Sequence, residues 1–226
     1  LKFAKFAKKA GVTRYIFNST CSVYGFNKNK VYENSKKNPL STYAKANYKA
    51  EHEIMLLKNK KFKVNVLRNS TLFGFSNTMR LDLVVNIFVF NLMKGKKIFI
   101  DGDGKQFRPF ISVSDIIKIY KHLIKNNYLP SFICNLVSFN ATVSTIAKSV
   151  CKILKINENL IYFKEKSVDK RNYIVGSKNF KKYFGKNFRF SSFSSEVKFL
   201  KKNMIKHKIK NNNQTIRMKF YKRKLF

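Results

Sequence analysis

Acidic residues are scarce in this chain of 226: 11 Asp and Glu stand against 48 Lys and Arg, a formal charge of +37. Cysteine is rarer still. Cys21, Cys134 and Cys151 lie far apart, with no Cys-x-x-Cys and no nearby histidine pair. That spacing argues against a disulfide framework or structural zinc and leaves a reducing cytoplasm as the expected setting. No apolar run reaches the roughly 18 residues of a membrane-spanning helix, and no secretory signal opens the chain. No Gly-x-Gly-x-x-Gly occurs, so the loop that cradles a dinucleotide pyrophosphate is not in this sequence.

Two readings compete for the charge. An excess of this size suits nucleic acid or another polyanion. Yet only eight of the basic residues are arginine, the residue whose bidentate fork reads phosphates and bases. Lys, Asn, Ile, Phe and Tyr are all abundant, the pattern of AT-rich codons. Composition is therefore the preferred explanation, and nucleic acid is not an expected partner; a non-catalytic polyanion-binding protein is the alternative.

Apolar periodicity predicts helices over 1–10, 41–58, 82–93, 115–125, 143–154, 179–184 and 194–204. Leu1, Phe3, Ala4, Ala7 and Ala10 can share a face of the first. Short buried strands are expected over 15–18, 63–68, 97–100, 107–113, 132–137 and 160–163, with Ser114 capping the helix that follows the fourth. Strands alternating with helices predict a parallel α/β sheet. Beyond Leu200 there are ten basic residues and no acidic one, which predicts a mobile basic tail over 201–226. Asp101-Gly-Asp-Gly104 lacks the distal glutamate of a calcium loop and reads as a turn. His52, His122 and His207 are scattered, with solvated or packed roles expected.

The most informative stretch runs from Arg14 to Glu51. A strand ends in Asn-Ser-Thr-Cys-Ser-Val-Tyr-Gly25, and after a polar loop Pro39 and the prospective N-cap Ser41 introduce a helix opening on Tyr43. Hydroxyls at a strand's carboxyl end beside a helix start make a site in open α/β sheets.

Phe17-Asn-Ser-Thr-Cys-Ser-Val-Tyr-Gly25, Tyr43 and the Ala50-Glu51 pair resemble the extended short-chain dehydrogenase/reductase family, in particular its nucleotide-sugar epimerases and dehydratases. Val66-Leu-Arg-Asn-Ser-Thr-Leu-Phe-Gly74, Gly102-Asp-Gly-Lys-Gln-Phe-Arg-Pro-Phe-Ile-Ser-Val-Ser-Asp115 and Asp169-Lys-Arg-Asn-Tyr-Ile-Val175 agree in order and spacing. The resemblance implies the C-terminal part of a Rossmann-like parallel sheet plus a small α/β substrate-binding lobe. Residues 1–75 would be the remnant of the dinucleotide-binding domain and 76–200 the substrate lobe, with 107–137 partly returning to the sheet. A chain opening on Leu within a helix reads as a piece of a longer protein.

The resemblance also implies roles. Tyr43 matches the phenol that exchanges a proton with a sugar hydroxyl, and Thr20 the hydroxyl that bonds the same oxygen, with Ser22 two residues on; both residue types suit the chemistry. Standing alone, Tyr43 would read as a tyrosine packed on the sheet. The family's lysine, one helical turn after the tyrosine, is here Asn47, which cannot supply the field of an ammonium, worth roughly 1–3 pKa units. Weak or absent catalysis is expected. NAD is the implied cofactor, touching Tyr43 and Asn47. Cys21 and Ser22 stand where the dehydratases carry an Asp-Glu pair, which favours epimerisation or simple oxidoreduction.

Arg108 matches the arginine that grips the diphosphate of the nucleotide-sugar, the expected substrate; the bland alternative is a surface ion pair with Asp103 or Asp115. Arg171 matches a second such arginine. Asn69, Thr71, Asp82, Leu83 and Asn86 fall at other substrate contacts of the family. A full-length chain is expected to allow a homodimer.

Overall fold

The computed structural model describes residues 1–165, 172–212 and 215. Three parallel strands, β1 (Arg14–Thr20), β2 (Lys63–Asn69) and β6 (Phe132–Leu136), form a sheet in the order β1-β2-β6. Their sequences are dense in Val, Ile, Leu and Phe, as strands covered on both faces require. Helices α1 (Lys2–Lys9) and α2 (Thr42–Met55) cover one face, where Ala4, Ile54, Phe62, Val64 and Val66 pack together. Helices α4 (Val113–Lys125) and α6 (Phe180–Phe184) cover the other, against Leu67, Cys134 and Phe132. The Phe132 and Tyr183 rings stack there with centroids 3.9 Å apart.

A second group of elements has its own apolar core. Strands β3 (Thr71–Phe73), β5 (Phe107–Ser112) and β7 (Phe139–Thr142) make one sheet, and β4 (Ile98–Asp101) pairs in parallel with β8 (Ile161–Lys164). Helices α3 (Val84–Leu92), α5 (Val143–Leu154) and α7 (Phe193–Lys206) enclose Leu81, Val85, Val89, Ile98, Val150 and Leu200. The chain passes into this group after β2, returns through β6, and leaves again at β7.

Several expectations needed correction. The first strand runs on through Ser19 and Thr20, because parallel pairing with Arg68 and Asn69 continues to that point. Ser112, not Ser114, caps α4: its backbone is extended and its Oγ accepts from Asp115 N at 3.0 Å, while Ser114 Oγ donates to Glu196. Strands β3 and β7 were not anticipated; each is too short to show a period and forms only by pairing with β5. The basic tail does not begin at residue 201. Helix α7 continues to Lys206, anchored by buried Met204, and Thr215 O accepts from Leu81 N at 2.7 Å; residues 213, 214 and 216–226 lie outside the described residues. In α1 only Ala4 is buried, and Phe3 stands 83% exposed instead of sharing that face. Asp101 to Gly104 does run as a turn, with both glycines at positive φ.

Candidate functional site

The carboxyl ends of β1 and β2 lie side by side, with Thr20 the register partner of Asn69. Past Thr20 the chain makes a 3-10 turn over Cys21–Tyr24, and Thr20 Oγ1 accepts from Ser22 N at 3.1 Å. Gly25 then reverses the chain at φ 62°; a Cβ there would lie 1.8 Å from Asn38 O. That close approach, with Asn38 N donating to Val23 O at 3.0 Å, clips the end of the polar loop onto the turn. Three residues later Ser41 caps α2, accepting from Ala44 N at 3.1 Å. As the crossover between parallel strands, α2 points its N-terminus toward the carboxyl end of the sheet.

Tyr43 sits in the first turn of α2 and is 62% exposed, so it is not a tyrosine packed on the sheet. Asn47 follows one turn later and donates Nδ2 to Tyr43 O at 2.9 Å. Ser22 is half-buried and Thr20 buried. Asn69 Nδ2 donates to Asn18 Oδ1 at 3.1 Å, whereas Asn69 Oδ1 and Ser70 Oγ are buried with no partner among the described residues. Orphaned polar atoms of this kind are uncommon and call for an explanation, such as an ordered water, an ion or a functional role.

The other expected residues form two further groups. Arg108 lies on β5, 6% exposed, with Nη1 donating to Phe107 O at 2.8 Å, so it is no surface cation; Asp103 is held by Lys105 and Asp115 by Lys118 and Ser191. Thr71 begins β3 and pairs in register with Phe110. At the head of α3, Asp82 is bound by Arg80 at 2.6 Å, Leu83 is the N-cap residue, and Asn86 bridges Gly74 N and Arg80 O at 3.0 and 2.9 Å. Arg171 lies outside the described residues. Its neighbour Asn172 accepts from Phe107 N through Oδ1 at 2.9 Å and from Asn27 N through its carbonyl at 3.0 Å. Asn172 thereby joins the polar loop to the strand carrying Arg108.

What the sequence reading missed lies beneath the hydroxyls. Glu51 of α2 accepts from Ser19 Oγ and binds Arg68 of β2, with Arg68 Nη2 2.7 Å from Glu51 Oε2 and both side chains 2% exposed. Arg68 Nη1 donates to Tyr24 OH at 2.8 Å, and Tyr24 OH to Asn135 Oδ1 at 2.8 Å. Glu33 of the polar loop completes the set, accepting from Asn135 N at 3.0 Å, from Lys178 N at 3.0 Å, and from Ser177 Oγ. Burial pulls the Arg68 guanidinium down, but its bonds to Glu51 and Tyr24 outweigh this and hold it above its ordinary value. Burial pushes the Tyr24 phenol up against the opposing pull of Arg68, so it remains a donor at neutral pH. The signal was present: a carboxylate and an arginine are conspicuous in so lysine-rich a chain, and each demands a partner once buried.

Burial also pushes the Cys21 thiol up, and Cys21 Sγ donates to Arg68 O at 3.2 Å. This is a packed thiol, and thiolate is the nucleophilic form.

These features define a Rossmann-like parallel α/β chain with a hydroxyl-lined site at its strand ends. A family model described as the NAD dependent epimerase/dehydratase family matches residues 1–132. The chain belongs to that family. An Escherichia coli O157:H7 relative, N-acetyl-alpha-D-glucosaminyl-diphospho-ditrans,octacis-undecaprenol 4-epimerase, is 30% identical over 125 residues, 53% of this chain and 35% of its own length. Human dTDP-D-glucose 4,6-dehydratase is 29% identical over 152 residues, 66% of this chain and 43% of its own. Thus the chain spans less than half the length of these curated relatives. The structure of MoeE5 in complex with UDP-glucose and NAD superposes with a TM-score of 0.80 at 19% identity, covering 92% of this chain and 70% of that one. At that identity the likeness establishes the fold.

The family is NAD-dependent, and the residues present fit one end of that cofactor. The orphaned Asn69 Oδ1 and Ser70 Oγ suit an amide or hydroxyl donor at the strand ends, with Tyr43 and Asn47 on the adjoining helix. The 226 residues contain no Gly-x-Gly-x-x-Gly loop of the kind that cradles a pyrophosphate.

Proposed function

We propose that this chain carries the proton-handling and substrate-binding part of a nucleotide-sugar epimerase or closely related sugar-nucleotide oxidoreductase. The observation that carries the reading is the junction of β1, β2 and α2: Thr20 beside Asn69, with Tyr43 on a helix clipped to the same strand end. On this reading residues 1–75 bear the catalytic strand and helix, and 76–200 the substrate lobe.

Bound NAD would supply the acceptor and donor of a hydride. The chain's own contribution is positional and acid–base. Because Thr20 Oγ1 accepts from Ser22 N, its hydroxyl proton is left to point at a sugar oxygen. Tyr43 takes or returns the proton of that oxygen, and Thr20 stabilises the charge developing on it. Asn47 offers an amide and no charge, so the phenol lacks the family's ammonium one turn on and turnover is weak. Arg108 holds the diphosphate through the guanidinium fork, with Arg171 as a second anchor. Asn69, Thr71 and the α3 head of Asp82, Leu83 and Asn86 border the sugar and nucleotide. With Cys21 and Ser22 in place of two acids, no group stands after Thr20 to expel water, and epimerisation is favoured over dehydration.

A thermal-shift panel tests the reading. UDP- and dTDP-sugars should stabilise the chain, whereas the free sugar should not. Equal stabilisation by heparin and by UDP-sugar would contradict it and support the polyanion alternative.

A further inference from the structure

Asn27 and Asn172 take no part in the proposed chemistry, yet together they connect the turn after Thr20 to the strand that carries Arg108. Asn27 Nδ2 donates to Tyr24 O at 2.5 Å, and Asn27 N donates to Asn172 O at 3.0 Å. Asn172 Oδ1 in turn accepts from Phe107 N at 2.9 Å. The carbonyl of that same residue, Phe107 O, accepts from Arg108 Nη1 at 2.8 Å. Residue 107 is thus fixed at its N–H by Asn172 and holds the guanidinium at its carbonyl. The segment after Asn172 has anchors of its own. Val31 N donates to Ile174 O at 2.9 Å and Gly176 N to Val31 O at 2.8 Å. Asn140, the register partner of Pro109, clasps Val175 with bonds of 2.9 and 2.8 Å.

We infer that Asn172 is a positioning residue for the diphosphate anchor, setting where the Arg108 guanidinium stands relative to the Thr20 turn. The inference rests on the reading of Arg108 as the group that holds the diphosphate. A guanidinium fork grips two oxygens only within a narrow geometry, so a displacement of the backbone beneath it is felt as lost affinity. Asparagine suits the place because its side-chain carbonyl and its main-chain carbonyl each accept a bond, one from β5 and one from the polar loop. Packing alone does not explain the first of these bonds. The Val31 pairing and the Asn140 clasp already hold the segment against the loop and β7, and what the Phe107 bond adds is the placement of the residue next to Arg108.

A double-mutant cycle tests this, with UDP-sugar titrated calorimetrically into the wild-type chain, Asn172→Ala, Arg108→Ala and the double variant. Asn172→Ala should bind roughly tenfold more weakly than wild type. In the Arg108→Ala background the same change should cost less than about twofold, since no guanidinium is left to aim. Amide exchange in the unliganded chain reads the bond itself. Phe107 N should exchange at least roughly tenfold faster in Asn172→Ala, with the β1-β2-β6 sheet unchanged, and Asn172→Asp, which keeps an acceptor, should restore slow exchange. Undiminished affinity in Asn172→Ala, equal losses in the two backgrounds, or unaltered exchange at Phe107 would overturn the inference and leave the nucleotide-sugar reading standing. Absent binding by the wild-type chain would remove that reading and the inference with it.

Discussion

Arg68 and Glu51 form a buried ion pair, 2.7 Å at its shortest, that ties the end of β2 to the middle of α2 directly beneath the hydroxyl cluster. Glu51 also accepts from Ser19, so a single carboxylate sets the spacing of both strands and the helix that presents Tyr43. Truncating one partner leaves the other charge buried and alone. Glu51→Ala or Arg68→Ala should cost about 3–5 kcal/mol in chemical denaturation. The paired replacement Glu51→Leu with Arg68→Met should cost less than either single change. A double variant as unstable as the sum of the two singles would show that the pair is not coupled.

Gly25 and Gly11 separate backbone strain from steric conflict. Both have positive φ, 62° and 81°, but only Gly25 faces an obstacle, Asn38 O, whereas Gly11 has open space. Gly11→Ala should cost about 1 kcal/mol from the left-handed conformation alone. Gly25→Ala should cost appreciably more and should release the loop of residues 26–38, detected as faster amide exchange there. Equal costs would mean that the clip between turn and loop does not hold.

Buried thiols give the fold an alkaline weakness. Burial pushes Cys134 up to about 12, with a weaker opposing pull from Ser177, while an unfolded thiol titrates near 8.5. Between those values the unfolded chain has released a proton that the native chain retains. Stability from this group is therefore whole below about pH 8.5 and falls as pH rises toward 12, by up to about 1.4 kcal/mol per pH unit. Cys134→Ala should flatten the decline in denaturation midpoints between about pH 9 and 11. An unaltered slope would contradict this.

Much of this was readable from residue patterns, and the failures have physical causes. Period and capping chemistry located the helices because the apolar stripe and the Ser41 hydroxyl are local signals. Strands β3 and β7 were missed because three or four residues carry no period and exist only through pairing with β5. The hydroxyl cluster and Tyr43 were visible as a motif, whereas the Glu51, Arg68, Tyr24, Asn135 and Glu33 network was not. Its members come from the polar loop, α2 and two strands, and only folding brings them into contact. Phe3 misled for a related reason: spacing gives a helix its faces but does not say which is covered.

The departure at Asn47 makes its own prediction. With the chain joined to the glycine-loop half of a relative and NAD supplied in an epimerase assay, Asn47→Lys should raise turnover by at least roughly tenfold, because an ammonium one turn from Tyr43 stabilises its phenolate. The substitution forfeits the bond from Asn47 Nδ2 to Tyr43 O, a loss of about 1 kcal/mol at most. Unchanged or lower turnover would mean that Tyr43 does not handle the proton.

The central claim is that this chain holds a sugar-nucleotide diphosphate against Arg108. Isothermal titration of UDP-sugars and dTDP-sugars into the chain and into Arg108→Ala measures it directly. The account predicts saturable binding that weakens about 10- to 100-fold in the variant, as expected for loss of charge-assisted hydrogen bonds, with Arg108→Lys recovering only part. Absent binding, or equal affinity in the wild-type chain and Arg108→Ala, would contradict it.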